Sequence, residues 1–198
     1  MFHDIPESVM EQMRTLEEID ARDREDGTPV HQRLRQIPKE TGRFLALMAA
    51  SAPPGLFLEI GTSAGYSSLW IALALRRRGL KLTSYEILEE KTLLARDSLE
   101  KAGLTEVVEI VQGDARKHLK QRKGVAFCFL DAEKDVYAQC YESLVPNLAP
   151  GGLIIADNVT SHKELLKGFT DRAMSDVRVD SMIVRIGKGL LLCRRPED

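Results

Sequence analysis

The chain has 198 residues, 43% of them hydrophobic and 29% charged, with a formal net charge of −2. That length supplies one full core and is short for two, and the near-neutral balance gives no general attraction to nucleic acid or anionic membrane. There is no apolar run of about 18 residues to cross a bilayer, and no basic or apolar leader in Met1-Phe2-His3-Asp4. The three cysteines, Cys128, Cys140 and Cys193, match no zinc or redox spacing. A reducing, cytoplasmic setting is expected.

Pro6 to Asp26 carries Val9, Met13, Leu16 and Ile19 at helical spacing, which predicts an amphipathic helix; its apolar face is a candidate surface for a homodimer. Gly27-Thr28-Pro29 stops it. A second helix is expected from about Thr41 to the Ala52-Pro53-Pro54-Gly55 break. Strands and helices then alternate: strand Leu56–Ile60, helix Ala64–Arg78, strand Lys81–Glu86, helix Leu88–Ala102, strand Val107–Val111, short helix Ala115–Arg122, strand Val125–Asp131, helix Val136–Leu148, strand Leu153–Asp157, helix Lys163–Ser175. This βα repetition predicts a parallel, Rossmann-like doubly wound sheet. Arg178–Ile186 and Leu190–Arg194 are joined only by Gly187-Lys188-Gly189, too short a link to cross a sheet, so they form an antiparallel hairpin. The expectation is one seven-stranded domain spanning 1–198, with a helical extension over about 1–55. Arg76-Arg77-Arg78 and the basic stretch Lys117 to Lys123 read as solvated helix ends.

Two of the apolar runs end in oxygen-bearing side chains, Asp131 after one and Asp157-Asn158 after the other. Ligands bind beyond the carboxyl ends of such strands, and two carboxylates with an amide suit a hard divalent cation. On the opposite side, Gly61 to Gly65 joins the first strand to its helix with spacing G-x-x-x-G and no Walker lysine, so a pyrophosphate cradle is disfavoured. Glu86 ends the second strand, where a carboxylate can accept two ribose hydroxyls; Asp114 and Ala115 follow the third, where a polar group can meet an adenine edge. Glu59 lies inside the first strand, and a buried carboxylate needs a partner: a cationic ligand or a nest of backbone amides. Together these features suit an adenosine with a cationic, phosphate-free tail, which describes S-adenosylmethionine.

The segments Leu58-Glu59-Ile60-Gly61, Gly65-Tyr66-Ser67, Glu86, Gly113-Asp114-Ala115, Asp131-Ala132-Glu133-Lys134-Asp135-Val136-Tyr137 and Asp157-Asn158 make the chain similar to the cation-dependent O-methyltransferases, class I methyltransferases related to catechol and caffeoyl-CoA O-methyltransferases. The resemblance runs from about Lys39 to Leu192. It implies a seven-stranded sheet closed by an antiparallel hairpin. It also implies a metal, usually Mg²⁺ but open to Ca²⁺ or Mn²⁺, at Asp131, Asp157 and Asn158, with Lys134 as the catalytic lysine. Cofactor contacts are implied at Glu59, Gly61, Ser63, Gly65, Ser67, Glu86, Asp114, Ala115, Asp131 and Glu133. Tyr66 either shields the sulfonium through a cation–π contact or packs at the helix start. Asp135 reads as a first-turn acid, His118 and His162 as surface residues, and Trp70 as core. The short Val159-Thr160-Ser161-His162 segment departs from the longer, aromatic acceptor wall of many relatives, leaving the site open or completed by a partner subunit. The expected acceptor is a small phenol or catechol; a hydroxylated tRNA nucleoside and a non-catalytic cofactor-binding protein are the alternatives, the low positive charge disfavouring RNA.

Overall fold

The computed structural model describes residues 1–197. Seven strands, β1 (Leu56–Ile60), β2 (Leu82–Glu86), β3 (Val108–Gln112), β4 (Val125–Leu130), β5 (Leu148–Ala156), β6 (Asp180–Val184) and β7 (Leu190–Arg194), form one sheet in the order β3-β2-β1-β4-β5-β7-β6. The first five pair in parallel, and β7 runs antiparallel between β5 and β6. All six residues of β4 are buried, as expected of a strand covered on both faces. The order reverses between β1 and β4, and a crevice opens there beyond the carboxyl ends of the strands.

The helices are α1 (Glu7–Glu25), α2 (Lys39–Ser51), α3 (Tyr66–Arg78), α4 (Glu89–Lys101), α5 (Arg116–Leu119), α6 (Tyr137–Leu144) and α7 (Lys163–Met174). One core cluster joins α1 to α4 with one sheet face; the other joins α5 to α7 with the opposite face. Helix α3 is buried from Tyr66 to Leu75, because α1 and α2 cover the side turned away from the sheet. Its Trp70 is core, as expected; Gly42 on α2 lies so close that a Cβ there would sit 2.2 Å from the indole.

Two expectations change. The apolar face of α1 is used within the chain: Val9, Met13 and Leu16 are buried in the first core cluster, and Gln12 Nε2 donates to Ser98 Oγ on α4 at 3.1 Å. That face is therefore closed to a second copy. The fifth strand starts at Leu148 rather than Leu153, so Pro150-Gly151-Gly152, left between a helix and a strand by the sequence pattern, lies within β5. The ladder jumps from Leu148↔Val125 to Leu153↔Phe127. A bulge of this kind tolerates a proline without an N–H and glycines at close approach; a Cβ on Gly152 would lie 2.5 Å from the Val125 carbonyl oxygen.

Candidate active site

The crevice is built where β1 and β4 end side by side. Asp131 N donates to the Ile60 carbonyl at 2.9 Å, and the chain leaves β1 at Gly61 with φ 99°. A Cβ on Gly61 would stand 2.2 Å from Asp131 O, so only glycine permits this approach. Gly65 caps α3 in the left-handed conformation (φ 88°), and its N–H closes the turn on Thr62 O.

Along the cofactor half, the acidic residues are held by donors from the chain itself. Glu59 is fully buried; its Oε2 accepts from Ser68 Oγ and Ser84 Oγ, and Oε1 has no partner. The partners are serine hydroxyls rather than an amide nest. Burial pushes its carboxyl up to about 7, against the opposing pull of the Ser67, Ser68 and Ser84 hydroxyls. Glu86 accepts from Ser63 N at 2.8 Å and Leu88 N at 3.0 Å, which fixes its carboxylate plane at the end of β2 and leaves lone pairs for a ligand. Ser67, at the start of α3, and Ala115, before α5, are buried.

Three expected contacts are otherwise engaged. Asp114 does not stand free beside an adenine site: Arg116 Nε and Nη2 reach its two oxygens at 2.7 to 3.0 Å, and the Arg116 N–H caps Oδ1. That guanidinium holds the carboxyl below the usual range. Glu133 is ion-paired with Arg35 at 2.7 Å, which lowers its carboxyl likewise. The Tyr66 hydroxyl donates to Glu17 on α1 and its ring meets Trp70 edge-on at 6.4 Å, so its side chain is held by packing at the helix start.

The opposite half is different. Asp131, Asp157 and Asn158 come together where β4 and β5 end, and Asp157 N donates to Leu130 O at 3.0 Å. Asp157 is fully buried, and its Oδ2 accepts from Asn158 Nδ2 at 3.2 Å while Oδ1 has no partner. Burial, and then the neighbouring Asp131 charge, push its carboxyl up to about 7. Lys134 Nζ donates to Ala132 O (2.8 Å), Tyr137 Oη (3.0 Å) and Asp131 Oδ1 (3.2 Å), which matches the three hydrogens of an ammonium. Burial between the two aspartates raises the Tyr137 phenol well above its ordinary value, so it stays protonated and donates to Asp157 O at 3.3 Å.

The residues fit a cation. A buried carboxylate oxygen with no donor, on a carboxyl that also feels a second carboxylate's charge, is costly unless a positive charge meets it. Asn158 adds an amide oxygen from a left-handed backbone (φ 67°). All three non-glycine residues with positive φ among the described residues, Arg35, Ser63 and Asn158, lie around this crevice, where backbone strain tends to collect at functional positions.

Several neighbours were not visible in the sequence. Arg35 and the carbonyl of Leu34, which accepts from Ser63 Oγ at 2.8 Å, come from the segment between α1 and α2. Lys188, at the tip of the β6–β7 hairpin, accepts from Thr160 N and Ser161 N at 3.1 Å through its carbonyl. The short stretch after Asn158 is thus clamped by the hairpin, and a Cβ on Gly189 would strike Thr160 Oγ1 at 1.9 Å. Tyr137 alone had a signal, as the last residue of the motif that starts at Asp131.

Comparison with known proteins identifies the family. The O-methyltransferase family model matches residues 8–196. A catechol O-methyltransferase from Niastella koreensis is 34% identical over 148 residues, covering 72% of this chain and 66% of that protein, so the chain spans about two thirds of that relative's length. A caffeoyl-CoA O-methyltransferase from Populus kitakamiensis is 27% identical over 183 residues, 80% of this chain and 77% of that one. Among solved structures, the O-methyltransferase from Bacillus cereus in complex with SAH shares the fold, with a TM-score of 0.79 at 24% identity over 93% of this chain and 90% of that one. The chain belongs to the O-methyltransferase family, with catechol and caffeoyl-CoA O-methyltransferases among its relatives.

Proposed function

We propose that this O-methyltransferase moves the methyl group of S-adenosylmethionine onto one hydroxyl of a small catechol-type phenol, using a divalent cation, Mg²⁺ in the simplest case, at Asp131, Asp157 and Asn158. The observation that carries the reading is the buried Asp157 Oδ1, which has no donor, on a carboxyl that also feels the Asp131 charge. The catechol O-methyltransferase relative supports the acceptor class, and the SAH complex of the Bacillus cereus protein supports the methyl donor.

Bound there, the cation would supply Lewis acidity that makes the acceptor hydroxyl easier to deprotonate. Asp131 and Asp157 provide the charge that holds it; Asn158 has its Nδ2 on Asp157 and so offers its carbonyl oxygen. Lys134 Nζ would take the hydroxyl proton as the neutral amine, after the ammonium has given one proton to solvent. Its longest bond, 3.2 Å to Asp131 Oδ1, is the one to be released for Nζ to face the acceptor, while Ala132 O and Tyr137 Oη keep it in place. Glu86, fixed by two backbone amides, accepts ribose hydroxyls, and Gly61 lets the donor approach the backbone. Alignment of acceptor oxygen, methyl and sulfur contributes much of the remaining acceleration.

The test is methyl transfer from labelled S-adenosylmethionine to catechol and to phenol, with EDTA and after adding back Mg²⁺, Mn²⁺ or Ca²⁺. The reading expects product from catechol, its loss with EDTA and its return with a cation. EDTA-resistant transfer would remove the metal from the mechanism; no transfer to any dihydroxyphenol would remove the acceptor class.

A further inference from the structure

Lys91, on α4, is 6% exposed and belongs to none of the groups assigned above. Its Nζ donates to two consecutive carbonyls, Gln32 O at 2.7 Å and Arg33 O at 3.0 Å. Those carbonyls lie in the segment that crosses the crevice mouth between α1 and α2. Two acids of α1 hold the same segment by its amides: Asp23 Oδ2 accepts from Leu34 N and Asp20 Oδ1 from Gln36 N, both at 3.2 Å. From there the segment reaches the cofactor loop through Leu34 O and Ser63 Oγ, and the metal side through Arg35 and Glu133. Ser63, with φ 48°, in turn orients Glu86 through its N–H.

The tethers differ in kind. Arg35–Glu133 is an exposed ion pair, which contributes little. Lys91 is a buried cation on two carbonyls, and removing it leaves two acceptors without a donor. The acids whose charge reaches Lys91 are Glu90, Asp23 and Glu86; Arg35 is the opposing cation. We propose that Lys91 is a positioning residue for the methyl donor: it pins residues 32–36 so that Leu34 holds Ser63, and Ser63 holds Glu86, in the geometry that binds the nucleoside. This rests on the S-adenosylmethionine reading of the crevice.

Titration calorimetry with S-adenosylhomocysteine and steady-state kinetics on the full chain test it. Lys91→Met, which loses both charged hydrogen bonds to the segment, is expected to weaken S-adenosylhomocysteine binding about tenfold, and to raise KM for S-adenosylmethionine similarly while kcat stays within about twofold. Lys91→Arg, which keeps the donors, is expected to restore most of the affinity. Ser63→Ala severs the same linkage without opening the core. Its effect should be similar, and the double variant should lose little more than either single one, since the two act in series. Trypsin should cut after Arg33 and Arg35 faster in Lys91→Met, and more slowly when S-adenosylhomocysteine is present. A lower Tm with unchanged affinity, or additive single effects, would make Lys91 a plain structural residue and overturn the proposal. Failure of the wild-type chain to bind S-adenosylhomocysteine would instead overturn the donor reading on which it rests.

Discussion

The two halves of the crevice treat acidic side chains in opposite ways. Beside β1, β2 and β3, the chain supplies its own donors: serine hydroxyls to Glu59, backbone amides to Glu86, a guanidinium to Asp114. Beside β4 and β5, the Asp131 charge acts on the Asp157 carboxyl, one oxygen of the buried Asp157 has no donor at all, and of the two carboxylates the ammonium of Lys134 bonds only to Asp131. The first half meets most of its acid oxygens with donors of its own, Glu59 Oε1 excepted, and offers the remaining lone pairs of Glu86 to a neutral sugar. The second is short of positive charge, and that deficit is the ground on which we propose a cation there.

The largest test of the contrast is Asp157→Ala. Losing Lewis-acid activation worth several kcal/mol predicts a fall in kcat/KM of roughly 1000-fold. The metal-free protein should not lose stability in proportion, because the substitution also removes a buried charge repelled by Asp131. Thermal melts with and without Mg²⁺ check both halves of the statement: the cation should raise Tm in the wild type and leave the variant unmoved. A variant that keeps activity would dissolve the contrast. Lys134→Met comes next. It removes the amine beside the pair, and loss of a positioned acid–base group predicts a drop in kcat of about 100-fold or more, with affinity for S-adenosylhomocysteine little changed. Single-turnover rates against titration calorimetry separate the two.

Glu59→Gln probes the other half. The wild-type carboxyl is pushed from 4.5 to about 7 on folding, so the native state binds the extra proton between those values. Its contribution is then fully present below about pH 4.5 and is lost as pH rises through 7. Glutamine abolishes this slope. Above pH 7 the variant should be more stable by on the order of 3 kcal/mol, with no difference near pH 4. Urea unfolding at pH 4.5, 6 and 8 measures it; parallel curves for the two proteins would mean that the serine hydroxyls fully offset the burial of Glu59.

The succession of strands and helices, the closing hairpin and the meeting of Asp131 with Asp157-Asn158 were legible in the sequence because they depend on short-range pattern. Apolar runs set the strands, a three-residue link forces the hairpin, and strand ends place side chains at the crevice. What was not legible depends on pairing across long separations. Nothing near Glu133 announces Arg35, 98 residues away, and nothing near Asp114 shows that the Arg116 fork folds back onto it rather than outward. Tyr66 was ambiguous for a related reason: its direction is set by Glu17 on a helix whose docking the local pattern does not specify. The start of β5 differs from the expected one because Pro150-Gly151-Gly152 carries the same signal for a turn and for a bulge, and only the Val125 register distinguishes them.

Asp114→Asn carries the smallest effect and separates two roles of one side chain. Asparagine keeps an oxygen to cap the Arg116 N–H but loses the charge that binds the guanidinium. The pair is partly exposed, with side-chain exposures of 37% for Arg116 and 23% for Asp114, so its loss should cost no more than about 1 kcal/mol, and the difference from wild type should shrink in salt. If Asp114 serves the site only by holding Arg116 and the start of α5, affinity for S-adenosylhomocysteine should move less than about threefold, since each tenfold corresponds to 1.4 kcal/mol. A much larger loss, persisting at high salt, would mean that the carboxylate leaves Arg116 to meet the ligand. The nucleoside half of the crevice would then be completed by its ligand after all, as we propose for the other half.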